Sequence, residues 1–142
     1  ALRLKLCGQP NQSYNFDEVG AGPDRETGLI VSSSTQMIAE VGDIVLSRKD
    51  MGTSYHLSVV LDDAAQGITH VVRGHDLFEA TKIHVLLQDL LGLQTPIYHH
   101  HDLIRDDQGT RLAKRDDARA IAKFRDEGYT ADDIRKLVGL PS

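Results

Sequence analysis

The chain has 142 residues, 40% of them hydrophobic, and a formal net charge of −5, enough for one core of ordinary size and too acidic to coat nucleic acid by bulk electrostatics. Its single cysteine, Cys7, excludes an intramolecular disulfide and any Cys-x-x-Cys zinc site within these residues. No apolar run approaches the roughly 18 to 20 residues needed to span a bilayer, and Ala1-Leu2-Arg3-Leu4-Lys5-Leu6 alternates instead of forming a signal-peptide core, so a cytoplasmic protein with no membrane partner is expected.

In chain order, residues 1–6 alternate Leu with Arg or Lys and predict a half-buried strand. Cys7 to Thr27, rich in Gly, Pro, Asn, Gln and Asp, predicts a loop. Gly28 to Val31 reads as a short strand and Asp43 to Arg48 as a better one, leading to a turn at Asp50-Met51-Gly52. Tyr55 to Gln66 fits strand or helix. Its length and Asp62-Asp63-Ala64-Ala65 decide for a helix closed by Gly67. Ile68 to Val72 predicts a buried strand, and Asp76-x-x-Glu79 a capping box for a helix carrying Ile83, Leu86, Leu87, Leu90 and Leu91 up to Gly92. A strand follows from Pro96 to His101, completing a unit of the kind that builds parallel sheets. After the turn at 106–109 and a basic loop come two helices, Asp116 to Glu127 and Ala131 to Val138, the second capped by Thr130-x-x-Asp133 and stopped by Gly139-Leu140-Pro141.

Chemistry concentrates at two places. Arg73 ends an apolar strand just before Gly74, where open parallel sheets bind ligands, and its fork matches a carboxylate. An Arg capping the strand end beside Asp76 is the structural alternative, and both stay open. Tyr55 reads either as a ligand contact or as an aromatic packed with its hydroxyl at a wet boundary. The second place is Arg111-Leu112-Ala113-Lys114-Arg115, whose cations suit a phosphate leaving group or a solvated helix entrance. Neither a Gly-x-x-x-x-Gly-Lys-Ser/Thr loop nor a Gly-x-Gly-x-x-Gly fingerprint accompanies it. His99-His100-His101 tempts a metal reading, but on a strand His100 faces away from its neighbours, and no Cys or Glu recurs at ligand spacing. Asp62 and Asp63 point about 100° apart on a helix, which suits separate roles better than a shared proton.

Taken together, Tyr55-His56-Leu57-Ser58-Val59-Val60-Leu61-Asp62-Asp63, Gly67 to Leu77 with its Arg73-Gly74, and Arg111 to Asp116 resemble the back half of a glutamyl-type class I aminoacyl-tRNA synthetase site. The ending after the basic loop is most similar to the short branch of that family, the glutamyl-queuosine tRNA(Asp) synthetases, which lack an anticodon-binding domain. Nothing upstream resembles the front half with its His-Ile-Gly-His-type motif. The resemblance therefore implies an α/β fold, a partial Rossmann-type class I core (its C-terminal half) with short C-terminal helices. It divides the chain into 1–54, connecting strands and loops; 55–115, the second half of the core; and 116–142, C-terminal helices.

The resemblance further implies that Tyr55 hydrogen-bonds the substrate glutamate and Arg73 pairs with its side-chain carboxylate. Lys114 and Arg111 would stabilise pyrophosphate, Leu103 and Ile104 would contact adenine through the backbone, and Asp63 would touch the tRNA acceptor stem. Ala113 stands where a serine is usual in that loop, and Arg111 where a lysine is. The implied partners are glutamate, ATP with Mg²⁺, and tRNA(Asp), handled by a monomer. Zinc is allowed only in the absent N-terminal part, with no metal within these residues. The implied full-length enzyme is an ATP-dependent ligase, and this piece alone is expected to be inactive. A discriminating glutamyl-tRNA synthetase and a non-catalytic nucleotide- or tRNA-binding module are the alternatives.

Overall fold

The computed structural model describes residues 1–7, 12–105, 108–109 and 120–141. They fall into two units, Ala1–Asp102 and Leu103–Ser142.

The first unit is built on a four-stranded mixed sheet. β1 (Leu2–Leu4) lies outside it and pairs antiparallel with β4 (Ile44–Ser47) as a separate ribbon. The main sheet contains β2 (Ser13–Glu18), β3 (Gly28–Ser33), β5 (His70–Gly74) and β6 (Ile97–His101), in the order β3-β2-β6-β5. β2 and β3 are antiparallel, whereas β6 runs parallel to both β2 and β5.

β2 overturns the expectation of a loop from Cys7 to Thr27. Along it Tyr14, Phe16 and Glu18 face inward while Asn15 and Asp17 are exposed. Only two of its inward residues are large and apolar, too faint a period-2 signal to emerge from polar surroundings.

α1 (Ser34–Glu40), not anticipated, starts at a complete capping box in which Ser33 accepts from the Gln36 N–H and Gln36 returns the bond to the Ser33 N–H. α2 (Tyr55–Ala65) takes the predicted helix, with Ser54 as N-cap accepting from the Leu57 N–H at 3.3 Å.

β5 is not the buried strand expected. It lies at the edge of the sheet, and Val72 is 68% exposed.

α3 (Phe78–Leu91) then returns the chain to β6. It enters through a 3-10 turn at His75–Leu77 with no side-chain cap at Leu77, so the expected capping box is replaced by a backbone lead-in, and Glu79 pairs with Lys82 at 2.6 Å. Its end is as predicted: Gly92 adopts φ 66°, the left-handed turn that other residues resist.

The core explains the facing of α3. One cluster contains Met37, Ile44, Val60, Leu86 and Leu87, and the other Phe16, Phe78, Val85 and Tyr98, so the helix is buried along more than one stripe. Leu90 and Leu91, placed by spacing on the inner face, are 55% and 47% exposed, and the inward positions are taken instead by Thr81, His84 and Gln88. In the second cluster Phe16 meets Phe78 and Tyr98 edge-on at 5.8 and 5.3 Å.

In the second unit α4 (Ile121–Asp126) and α5 (Ala131–Leu137) follow the predicted helices; the expected stretch from Asp116 to Arg119 lies outside the described residues. Thr130 and Asp133 form the predicted capping box, which holds the Asp133 carboxyl below its ordinary range. Phe124 and Tyr129 meet edge-on at 5.4 Å. Among the described residues no helix is long and apolar enough to cross a membrane.

Candidate functional site: an arginine in a box of neutral acceptors

β5 carries Arg73 beside His100 of β6, its register partner in the parallel pair. The guanidinium turns inward over the sheet. Its Nε donates to His100 Nε2 at 3.2 Å, Nη1 to His84 Nδ1 at 3.1 Å, and Nη2 to the Thr81 hydroxyl. Its central carbon sits 5.1 Å from the centroid of the Tyr98 ring, a cation–π contact. Thr81 Oγ1 is in turn 3.0 Å from His100 Nε2 and donates to the Leu77 carbonyl at 3.1 Å.

Arginine only donates, so each acceptor's proton is fixed by elimination. His84 Nδ1 is bare, its Nε2 carries the proton, and it donates to His56 Nδ1 at 3.1 Å. Both rings are therefore neutral. Burial first, then Arg73, then His56 push the His84 pKa down to about 3, and His56 is lowered by burial and by Arg73. His100 is likewise lowered by burial, although Glu18 opposes the shift.

Tyr55, the first residue of α2, brings its ring to 5.7 Å from His84 and 5.6 Å from His56 while remaining 52% exposed. The structure thus brings Tyr55 and Arg73 to the same histidine. Asp63 lies on α2, half-buried, its carboxyl raised by burial against the pull of Arg73. Leu103 and Ile104 open the second unit, the former half-buried and the latter exposed. Arg111 and Lys114 lie outside the described residues.

Sequence reasoning missed Glu18, Thr81, His84 and His100 as members of the site. A signal existed: Thr81, His84 and Gln88 recur at i, i+3 and i+7 on the helix face that also buries Val85, and polar residues on a buried stripe call for a partner. His100 did face away from His99 and His101, being 1% exposed while both neighbours lie open. Its acidic partner, Glu18, came from the segment expected to be a loop. Among the described residues no group of three or more His, Cys, Asp or Glu side chains is arranged to hold a metal.

The parallel β5–α3–β6 unit sets the charged fork of Arg73 at a strand end of a mixed α/β core, and the chain is a member of the class I tRNA synthetase (E and Q) catalytic-domain family, whose model matches residues 26–140. It is 72% identical over 140 residues to the glutamyl-Q tRNA(Asp) synthetase of Rhodobacter capsulatus, covering 99% of this chain and 49% of that protein. It is 44% identical over 121 residues to the protein of the same name from Xanthomonas axonopodis, covering 85% of this chain and 37% of that one. The chain thus spans half or less of the length of these relatives. Among solved structures, a glutamate tRNA ligase from Elizabethkingia meningosepticum in complex with its amino acid superposes with a TM-score of 0.58 at 25% identity, over 84% of this chain and 21% of that one.

Proposed function

We propose that this chain supplies the back half of the active site of an enzyme that activates glutamate with ATP and transfers it to queuosine of tRNA(Asp). The observation that carries the reading is the state of Arg73. Among the described residues its three hydrogen bonds all go to neutral acceptors, and these leave one N–H on Nη1 and one on Nη2 uncommitted there. A carboxylate fits two such donors side by side. Arg73 therefore takes the side-chain carboxylate of glutamate and rejects glutamine, whose amide would turn a donor toward the guanidinium. Tyr55 hydrogen-bonds the same amino acid from the start of α2. The acceptor is read from the relatives, which bear the name glutamyl-Q tRNA(Asp) synthetase.

ATP enters as a substrate with Mg²⁺ on its phosphates. Within this chain Lys114 and Arg111 neutralise the departing pyrophosphate, Leu103 and Ile104 hold adenine through their backbone, and Asp63 touches the acceptor stem. The enzyme acts as a cytoplasmic monomer. The chain's contribution to catalysis is positioning and charge neutralisation, with no general base required of it.

The test uses the full-length protein. Arg73→Ala should lower kcat/KM for glutamate in ATP/pyrophosphate exchange by about 100-fold, the scale of a lost charge-assisted pair. Lys114→Ala should slow activation with the glutamate KM little changed. Wild-type exchange in both variants would overturn the reading. Transfer to tRNA(Glu) in preference to queuosine-bearing tRNA(Asp) would replace it with the discriminating glutamyl-tRNA synthetase.

A further inference from the structure

Four polar side chains around Arg73 have no part in the chemistry above, yet they are among the most deeply buried in the molecule: Thr81 is 0% exposed, Glu18 and His100 1%, and His84 2%. Burying such groups is costly unless their hydrogen bonds are made, and here the bonds run outward from Arg73 in separate branches, one of which leads through His100 to Glu18. Because Arg73 Nε donates to His100 Nε2, that nitrogen is bare and the ring's proton sits on Nδ1. Nδ1 donates to Glu18 Oε2. The carboxylate cannot turn away, since its other oxygen, Oε1, accepts the backbone N–H of Gly20 at 2.8 Å and of His100 at 2.9 Å.

The arrangement answers a problem posed by any arginine that must receive an acid. A carboxylate bonded directly to the guanidinium would orient it but also neutralise it, and would compete with the substrate's own carboxylate. An imidazole between the two passes on direction without adding charge at the contact.

Resting on the reading of Arg73 as the glutamate receptor, we propose that Glu18 and His100 are its positioning residues: Glu18 fixes the tautomer of His100, and the bare Nε2 of His100 aims the guanidinium at the substrate. Neither touches substrate. Both act through Arg73.

Glu18→Gln in the full-length protein tests this, because it keeps shape and removes one acceptor. The glutamine oxygen can satisfy the two backbone N–H groups, but its NH₂ then faces His100 Nδ1 and drives the ring's proton to Nε2, where it opposes the Arg73 N–H. In ATP/pyrophosphate exchange the KM for glutamate should rise about 10-fold or more, with the KM for ATP unchanged and discrimination against glutamine reduced. Nitrogen NMR of His100 should show the proton on Nδ1 in the wild type and on Nε2 in the variant.

Equal changes in both KM values, or no change in either, overturn the proposal. Should Glu18→Gln fail to fold, the wild-type spectrum decides: a proton on Nδ1 supports the proposal, and one on Nε2 refutes it. The two readings fail separately. If Arg73→Ala leaves the glutamate KM unmoved, the receptor itself falls and the positioning role with it; if Arg73→Ala raises it and Glu18→Gln does not, only the positioning role falls.

Discussion

Glu18 and His100, 82 residues apart in the chain, are joined twice, once through the His100 backbone N–H and once through its ring. This double contact lies where β2 meets β6, a pairing whose register is given by Glu18 opposite Tyr98. The backbone continues the seam through Val19 N–H to Tyr98 O at 2.9 Å and Ala21 N–H to His100 O at 3.0 Å.

Removing the carboxylate altogether should therefore cost stability as well as alignment. Glu18→Ala strands two backbone donors and a ring N–H in a buried place, at about 1–3 kcal/mol for each donor left without a partner. The urea midpoint should fall with the m-value unchanged. A midpoint equal to wild type would mean that water replaces the carboxylate freely.

Gly20 should tolerate no side chain. A Cβ there would meet the His100 carbonyl oxygen at 2.2 Å and its nitrogen at 2.8 Å, so β2 and β6 would have to part. Gly20→Ala should lose about 2 kcal/mol or more, whereas Gly92→Ala, with φ 66° but nothing within 4 Å, should lose only about 1 kcal/mol for its backbone conformation. Thermal melts of the pair give the comparison, and the reverse order would contradict the contact.

Acid should destabilise the protein through His84. Between its ordinary 6.5 and about 3 the unfolded chain binds a proton that the folded chain refuses, so this stability is complete above 6.5 and drains away as pH falls through that window. The slope reaches about 1.4 kcal/mol per pH unit for one such group, and His56 and His100, also lowered, steepen it. Urea midpoints between about pH 7.5 and pH 4.5 measure this slope, which His84→Asn should make shallower. Identical slopes in the two proteins would sink the assignment to His84.

Charge alone should not replace the fork at position 73. Arg73→Lys keeps a cation but cannot reach His100, His84 and Thr81 together, so on the proposed reading the glutamate KM of the full-length protein should rise by about 10-fold or more. Full activity with lysine would show that the site needs only a positive point.

The legible parts of this protein are those whose signals are local. Arg73 before Gly74 announced itself by chemistry, α2 by length and its closing glycine, and α5 by its capping box. β2 did not, because Tyr14 and Phe16 are its only large inward apolar residues and Glu18, also inward, looks like surface until His100 is set beside it. The same distance hid the site's interior: the spacing of Thr81, His84 and Gln88 was visible on paper, but what they face is fixed by β5 and β6. β5 misled for a related reason, since an apolar run does not reveal whether its strand lies at the middle or the edge of a sheet.

The span between Glu18 and His100 also bears on folding kinetics. Helices α2 and α3 can form from nearby residues, but the acceptor that fixes His100 arrives only when a strand from the start of the chain docks across everything between, the kind of non-local closure that slows folding. A molecule with its helices formed and β2 still loose would retain most of its helical circular dichroism yet have no aimed guanidinium. If Arg73 is the glutamate receptor proposed above, recovery of glutamate binding during refolding of the full-length protein should lag behind recovery of helix.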